Sequence, residues 1–527
     1  MRNIFVCFAV FFLSVSGYTQ EKNHLSVNPE IRYQTIDGFG ASDAWRCQFV
    51  GKNWPLEKRQ KMADWLFSTD VDTYGNPKGI GLSIWRFYLA AGTAEQGDSS
   101  GIVNPWRRGE SFLSPEGIWD WSKYEGQRWF LKAAMDRGVP KFLAFTITPP
   151  VQFANNGKGF ARKGDTHFNL KSDKSDDYAQ YLAEVLDHFR KSDGIEFNYI
   201  SPFNEPQWNW EQGNQEGTPA SNEELYVFLK YLSGELSLRG LQTLIVPGEA
   251  ATIGHVSDFV NKDGRDNQME TFFSKSSELY VGSFPNMAPI ISAHSYFTVW
   301  PLNIQIDSRV KLAEKMKSVD PGIGYWQSEY CILEKNDEIG QGNVRDLGMA
   351  TALFVSRIIH NDLTICNARS WQWWTALTKC DYKDGLIYLD SGTDQQVGKM
   401  GPEIKSLQFD GTPRDSKLMW ALGNYSRFVR PGMVRVEAKL SDEGTGSEKS
   451  NEIMASAWLD QSNNRLVVVF VNTKDTTQEV THSIQSKRGQ VDLYVTSEKM
   501  NLSHQLSKDK NIVIPARSVA TLCFELK

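Results

Sequence analysis

Between residues 36 and 430 the sequence alternates eight times between a short apolar run and a longer stretch of amphipathic character. A strand followed by a helix returns the chain parallel to where it started, so eight such units in succession predict an α/β fold, a closed (β/α)8 TIM barrel. The candidate strands are Ile36 to Ser42, Ile80 to Leu89, Lys141 to Thr148, Tyr199 to Glu205, Gln242 to Glu249, Ile291 to Phe297, Gly322 to Tyr330 and Ala368 to Leu377. Apolar residues recur every three or four positions in Leu56 to Phe67, Asp176 to Arg190, Glu223 to Leu238, Ser308 to Ser318 and Val344 to Ile359, which predicts helices there.

Beyond Pro431 the texture changes. Arg465 to Val471, Gln490 to Val495, Asn511 to Pro515 and Ser518 to Glu525 are short β-rich runs between polar turns, the pattern of a small β-sandwich. The stretch from His24 to Gln34 precedes the first barrel strand and is expected to add edge strands to that sandwich, building it from both chain ends. The polar run Ser441 to Ser450 reads as a solvated hairpin tip. At the N-terminus, Arg2 and the apolar run Ile4 to Leu13 read as a signal peptide, with small residues near Gly17 and Thr19 for cleavage. Cys7 lies inside that run rather than after it, which argues against a lipoprotein anchor, and no other window suits a membrane span. The expected organisation is a leader at 1–19, N-terminal strands at 20–35, the barrel at 36–430 and the sandwich at 431–527, in a protein secreted or delivered to the periplasm.

Composition narrows the function classes. The 527 residues carry 63 acidic against 57 basic side chains, a net charge of -6, so no overall positive field exists to draw in nucleic acid. The 17 Trp favour a partner that offers flat, partly apolar surfaces, such as a sugar ring. Cys47, Cys331, Cys366, Cys380 and Cys523 form an odd set after the leader, so at least one thiol is free. Cys366 and Cys380 flank a predicted strand and are too far apart to bridge. The sequence has no CxxC pair and no HExxH, and neither a metal nor another cofactor is expected.

In a TIM barrel the reacting groups lie at the C-terminal ends of the strands. The fourth candidate strand closes in Asn204-Glu205-Pro206 and the seventh in Ser328-Glu329-Tyr330. Either motif alone is ordinary: a Glu before Pro is common at the start of a loop. Together, three βα units apart around one barrel, they set two carboxylates facing each other across its mouth. One carboxyl to protonate the leaving oxygen and one to attack the anomeric carbon or activate water is the equipment for glycosidic cleavage.

These motifs resemble glycoside hydrolase clan A and, within it, glycoside hydrolase family 30. The resemblance also rests on Ile36-Asp37-Gly38-Phe39-Gly40, on Trp371-Gln372-Trp373-Trp374, and on Gly423-Asn424-Tyr425-Ser426-Arg427-Phe428 before Pro431-Gly432, and it covers nearly the whole mature chain. It implies a retaining mechanism with Glu205 as acid/base and Glu329 as nucleophile. Asn204 would bond the sugar 2-hydroxyl, and Arg86 would keep the nucleophile ionised. His294 and Tyr296 would face the site together, and Trp374 would floor the subsite, with Trp371 or Trp373 as the other candidates. Retention requires the two carboxyls to lie roughly 5 to 5.5 Å apart, and acid and nucleophile to be held at different pKa values.

Within the family the chain looks like the endo-β-1,6-galactanase-like branch, judging by Gly38 to Trp45, in which Asp43 is expected to bind substrate, and by the loop Gln215 to Pro219. Trp208 and Trp210, next to the proposed acid, could stack on sugar. The expected protein is a monomeric O-glycosyl hydrolase acting on oligosaccharide or polysaccharide. The alternatives are the same chemistry on β-1,6-glucan, glucuronoxylan, glucosylceramide or terminal fucosyl or xylosyl units, and a carbohydrate-binding protein without catalysis.

Overall fold

The chain enters through a 13-residue strand, β1 (Asn23–Thr35), and then builds eight parallel strands: β2 (Gly38–Ser42), β3 (Ile84–Leu89), β4 (Lys141–Thr146), β5 (Tyr199–Ser201), β6 (Leu244–Ile245), β7 (Ile290–His294), β8 (Gly324–Glu329) and β9 (Ala368–Trp373). This computed structural model describes residues 23–260, 264–379, 381–391, 405–441, 452–507 and 510–526. The expected leader, Cys380 and most of the expected polar tip lie outside them. The eight strands pair in the order β6-β5-β4-β3-β2-β9-β8-β7. Bridges from Ile245 to Met287 and from Ala250 to Ala293 join β6 to β7 and close the ring.

Each candidate barrel strand is present, most of them shorter than the apolar run that announced it. Pro202 and Pro206, for example, bring no N–H to a ladder, and β5 ends at Ser201. The helix Leu56–Phe67 has the expected bounds, whereas the expected Ser308 to Ser318 and Val344 to Ile359 are Leu302–Val319 and Met349–Thr364. Strand alternation sorts the residues of β3. Trp85, Phe87 and Leu89 join the large core beneath the helices, while Ile84, Arg86 and Tyr88 face the barrel interior. At the N-terminal mouth Asp37 accepts from Trp326 Nε1 at 2.9 Å and pairs with Arg369 Nε at 3.0 Å.

A small sheet not foreseen from the sequence follows the barrel: β10 (Leu377–Thr378), β11 (Ile387–Asp390) and β12 (Thr412–Asp415). The remaining strands are β13 (Val434–Leu440), β14 (Ile453–Asp460), β15 (Arg465–Asn472), β16 (Gln478–His482), β17 (Val491–Ser497), β18 (Met500–Ser507), β19 (Asn511–Ile514) and β20 (Ser518–Glu525). With β1 they form one hydrogen-bonded series, β18-β17-β20-β15-β14-β13-β1-β16-β19, around a shared core that includes Leu25, Val468, Phe470, Leu522 and Phe524. β1 was expected at an edge; it lies inside, antiparallel to β13 and parallel to β16, with register breaks between Asn28 and Arg32 and between Arg32 and Thr35. The breaks lie in the ladder with β13 alone; β16 pairs with Asn23 to Leu25 along the other edge of the strand.

The helix Lys417–Ser426 ties this module to the barrel. Asn424 Nδ2 donates to Thr521 Oγ1 at 3.0 Å, Thr521 Oγ1 donates back to the Asn424 carbonyl at 2.7 Å, and Ser426 Oγ donates to the Ile80 carbonyl at 2.6 Å. The helices Cys47–Asn53 and Glu125–Asp136 touch backbone to backbone. A Cβ on Gly126 would lie 1.8 Å from the Gln48 carbonyl oxygen, and one on Gly51 would lie 2.1 Å from that of Gly126. This contact fixes the start of the helix that follows β2, and with it the segment that carries Trp45. Gly126→Ala is therefore expected to push the two helices apart and cost about 1–3 kcal/mol, read as a lowered denaturation midpoint with an unchanged m-value.

Candidate active site

Glu205 and Glu329 reach the same cleft from opposite sides of the ring. Glu329 is the last residue of β8. The register of β7 against β8 slips by one between Ala293 and His294, so His294 pairs with Glu329 rather than with Ser328. Glu205 lies four residues beyond β5, on a backbone with φ of 47°, and its N–H donates to the Glu249 carbonyl at 2.9 Å. Its own carbonyl accepts from Trp208 N at 3.1 Å and from Trp210 Nε1 at 3.0 Å. Both carboxylates are buried at the bottom of an opening of about 600 Å³ that they help to line.

Beneath them lies a closed set of charges. Arg86, without solvent exposure, donates from Nη1 to Glu329 Oε2 at 3.1 Å and to the Ser328 carbonyl at 2.8 Å, and from Nη2 to Glu249 Oε1 at 2.9 Å. His294 Nδ1 is 2.8 Å from Glu205 Oε1, and its Nε2 is 3.3 Å from Glu249 Oε1. Tyr296 OH donates to Glu329 Oε1 at 3.2 Å. Burial opposes charge on His294, yet Glu329, Glu205 and Glu249 together raise it to about 10, so the ring is an imidazolium that donates from both nitrogens. Glu249 is held down at about 2 despite its burial, by the His294 hydrogen bond and the Arg86 charge, and Ser292 Oγ also donates to it at 2.7 Å. Glu205 goes the other way: burial pushes its carboxyl up, and the negative charges of Glu329 and Glu249 add to this against the pull of His294.

Glu249 was missed from sequence. It ends the fifth candidate strand, and a Glu at the end of a barrel strand was the available signal; there it lacked any motif around it. Tyr296 and His294 were expected to converge as alternating residues of one strand. They do converge, although β7 ends at His294 and Tyr296 follows in a turn.

Aromatic rings and amides shape the walls. Asn204, Trp208, Tyr296 and Trp374 all line the opening. Trp371 and Trp373 are core residues, with indole nitrogens bonded to Asp362 Oδ2 and to the Asp384 carbonyl. Trp374 meets Trp45 edge to face at 5.2 Å, and the Arg46 and Arg107 guanidiniums lie 5.4 and 5.0 Å from the Trp45 ring. Asn204 Oδ1 is buried with no hydrogen-bond partner, an acceptor left for something that enters the cleft. Asp43 does not line the opening. It is buried behind Trp45, accepting from Tyr88 N at 2.9 Å and Gln127 Nε2 at 3.0 Å, and burial pushes it up to about 7.

The loop from Gln207 to Pro219 forms one wall and is tied down by Glu216. That carboxylate is fully buried, accepts from Tyr88 OH, Thr93 Oγ1 and Ala91 N, and is pushed up to about 7 by burial. Just beyond the same end of the loop, Ser221 and Glu224 form a capping box that starts the helix Asn222–Leu238. Glu205, His294 and Glu329 present ligand atoms within 4.8 Å of one another, close enough to hold a cation. In this arrangement, however, the imidazolium is hydrogen-bonded to Glu205 and Arg86 to Glu329, and a cation would have to displace positive charge already there.

Three comparisons bear on this site. Residues 22–388 match the family model described as O-Glycosyl hydrolase family 30. Among curated proteins, an endo-β-1,6-galactanase of Hypocrea rufa is 27% identical over 244 residues, 43% of this chain and 49% of that enzyme, so the match spans about half the length of that relative. Glucuronoxylanase XynC of Bacillus subtilis is 24% identical over 404 residues, 74% of this chain and 75% of that enzyme. Among solved structures, a conserved exported protein of Bacteroides fragilis superposes with a TM-score of 0.88 at 35% identity, covering 95% of this chain and all of that one. No helix among the described residues is long and apolar enough to cross a membrane. With a family model matched over most of its length, the chain belongs to O-glycosyl hydrolase family 30.

Proposed function

We propose that the protein is an exported, retaining endo-β-1,6-galactanase in which Glu205 is the acid/base and Glu329 the nucleophile. The observation that carries this reading is the short gap between two carboxylates in unequal surroundings: an oxygen of each lies within 4.8 Å of the other. That is in keeping with direct attack and leaves little room for the water that inversion places between them. Burial pushes the Glu205 carboxyl up, in the direction an acid needs. Arg86 and Tyr296 direct their donors to Glu329.

In the first step Glu205 passes its proton to the glycosidic oxygen as that bond breaks, and a Glu329 oxygen forms a bond to the anomeric carbon. In the second, Glu205, now a carboxylate, takes a proton from water, and the water oxygen displaces Glu329 on the same face that the leaving group vacated. Asn204 supplies a hydrogen bond to the 2-hydroxyl, and its unpartnered Oδ1 is free to accept it. Glu249 acts through others: it balances Arg86 and His294, which hold the two reacting carboxylates in place. Trp374 and Trp208 offer ring faces to the sugar.

The choice of galactan is supported by the name of the Hypocrea rufa relative and by the Gln215 to Pro219 loop. The glucuronoxylanase relative makes another β-glycan the alternative substrate for the same chemistry. Product analysis on debranched β-1,6-galactan, β-1,6-glucan and glucuronoxylan decides between them. Oligosaccharides from galactan alone are expected, and activity confined to another polymer would replace the substrate while keeping the mechanism.

Glu205→Gln is expected to lower kcat/KM on polysaccharide by about 10²- to 10⁴-fold, with a smaller loss on an aryl glycoside whose leaving group needs no proton. Glu329→Gln should lose both activities, and NMR of the parent enzyme's nascent product should show the β-anomer first. A protein that only binds sugar would be indifferent to either change. Because activity requires protonated Glu205, the basic limb of the kcat/KM profile follows its pKa. Glu249→Gln removes an anion that raises that pKa, so the limb should move to lower pH; a limb that stays in place would refute the assigned role of Glu249.

A further inference from the structure

Phe297 directly follows Tyr296 at the rim of the cleft, and the residue is 64% exposed. Its backbone has φ of 61°, in the left-handed region that residues with a Cβ seldom adopt. The Phe297 N–H donates to Glu334 Oε1 at 2.8 Å, which holds the turn in this conformation. Leu333, half exposed, lines the same wall. A large apolar ring that faces water from a strained backbone gains little from the protein's own packing. Such strain persists where it presents a side chain for use.

Beside it stands Trp208, three residues after Glu205 and bonded through its N–H to the Glu205 carbonyl. The Trp208 and Phe297 rings lie edge to face, with centroids 6.3 Å apart and planes at 81°. The two rings thus make an aromatic corner on the Glu205 side of the cleft. Because Glu205 meets the leaving oxygen, the sugar on that side is the one that departs. Ring faces suit the C–H face of a pyranose.

We propose that Phe297, together with Trp208, seats the pyranose on the leaving-group side of the scissile bond, making Phe297 a specificity-determining residue for that sugar. The proposal rests on the retaining-glycosidase reading of Glu205 and Glu329. A glycosyl-enzyme can be discharged by water or by a second sugar seated in that same place. The ratio of transfer to hydrolysis products, with β-1,6-galactobiose added as acceptor, therefore reports on the seat and does not depend on how much enzyme is active.

Phe297→Gly is expected to lower that ratio about tenfold while leaving the melting temperature unchanged or raised, since glycine relieves the backbone. Phe297→Trp should keep the ratio within about twofold of the parent's, because it retains a ring face. A Phe297→Gly enzyme with the parent's ratio overturns the assignment of Phe297 alone, as does one that melts lower with the ratio unmoved, the mark of a packing residue. If the parent enzyme hydrolyses none of the three polymers, or inverts, the underlying reading of Glu205 and Glu329 falls, and the assignment of Phe297 with it.

Discussion

A guanidinium that water cannot reach must be neutralised where it lies, and the Arg86 side chain is placed at the centre of the barrel under that condition. Its two partners, Glu249 and Glu329, come from strand ends on either side of β7, and His294 from β7 adds a second cation between them. Removing one member would leave an uncompensated charge in a medium that solvates it poorly. The set therefore holds as a unit. Its geometry fixes the position of Glu205, a carboxylate with a raised affinity for protons, which touches the set through His294.

The same rule operates farther out. Glu216 and Asp43 are both buried acids, and both bond to Tyr88, one through its hydroxyl and the other through its N–H. Tyr88 thereby links the loop that carries Trp208 and Trp210 to the segment that carries Trp45. The walls of the cleft are irregular backbone, tied to a barrel strand through Tyr88 and to one another by bonds such as Gly217 N–H to the Gly159 carbonyl at 2.8 Å. Rigid placement of loops on a regular scaffold is how such a fold carries a site.

Much of this was legible in the sequence, for a physical reason. Strands buried on both faces leave continuous apolar runs, and helices packed on them leave a 3.6-residue period, so the eight units could be counted. Glu205 and Glu329 stood out because a polar motif at the end of an apolar run is anomalous. Glu249 ends such a run too, but only Leu244–Ile245 of it pairs as a strand, and its meaning lies in Arg86 and His294, which are 163 and 45 residues away in sequence. Phe297 was passed over because an apolar residue beside a strand reads as core, and only its exposure says otherwise. Of the three tryptophans near the end of β9, strand alternation does not let all face the cleft; which one does depends on the turn after Trp373, where the strand ends. The inner position of β1 was hidden because pairing partners more than 400 residues away leave no local trace.

That inner position sets an order of events for a chain made from its N-terminus. β1 leaves the ribosome first, but the strands that flank it, β13 and β16, are made only after the whole barrel. Until then β1 is an unpaired strand with two bare edges, and the sandwich core lacks Leu25. The barrel can form while synthesis continues; the sandwich has to wait for nearly the last residue. Pairing at such sequence separation is slow to form and leaves adhesive edges open meanwhile. A chain exported before completion would meet that interval outside the cell, where the wait ends only when its final strands arrive.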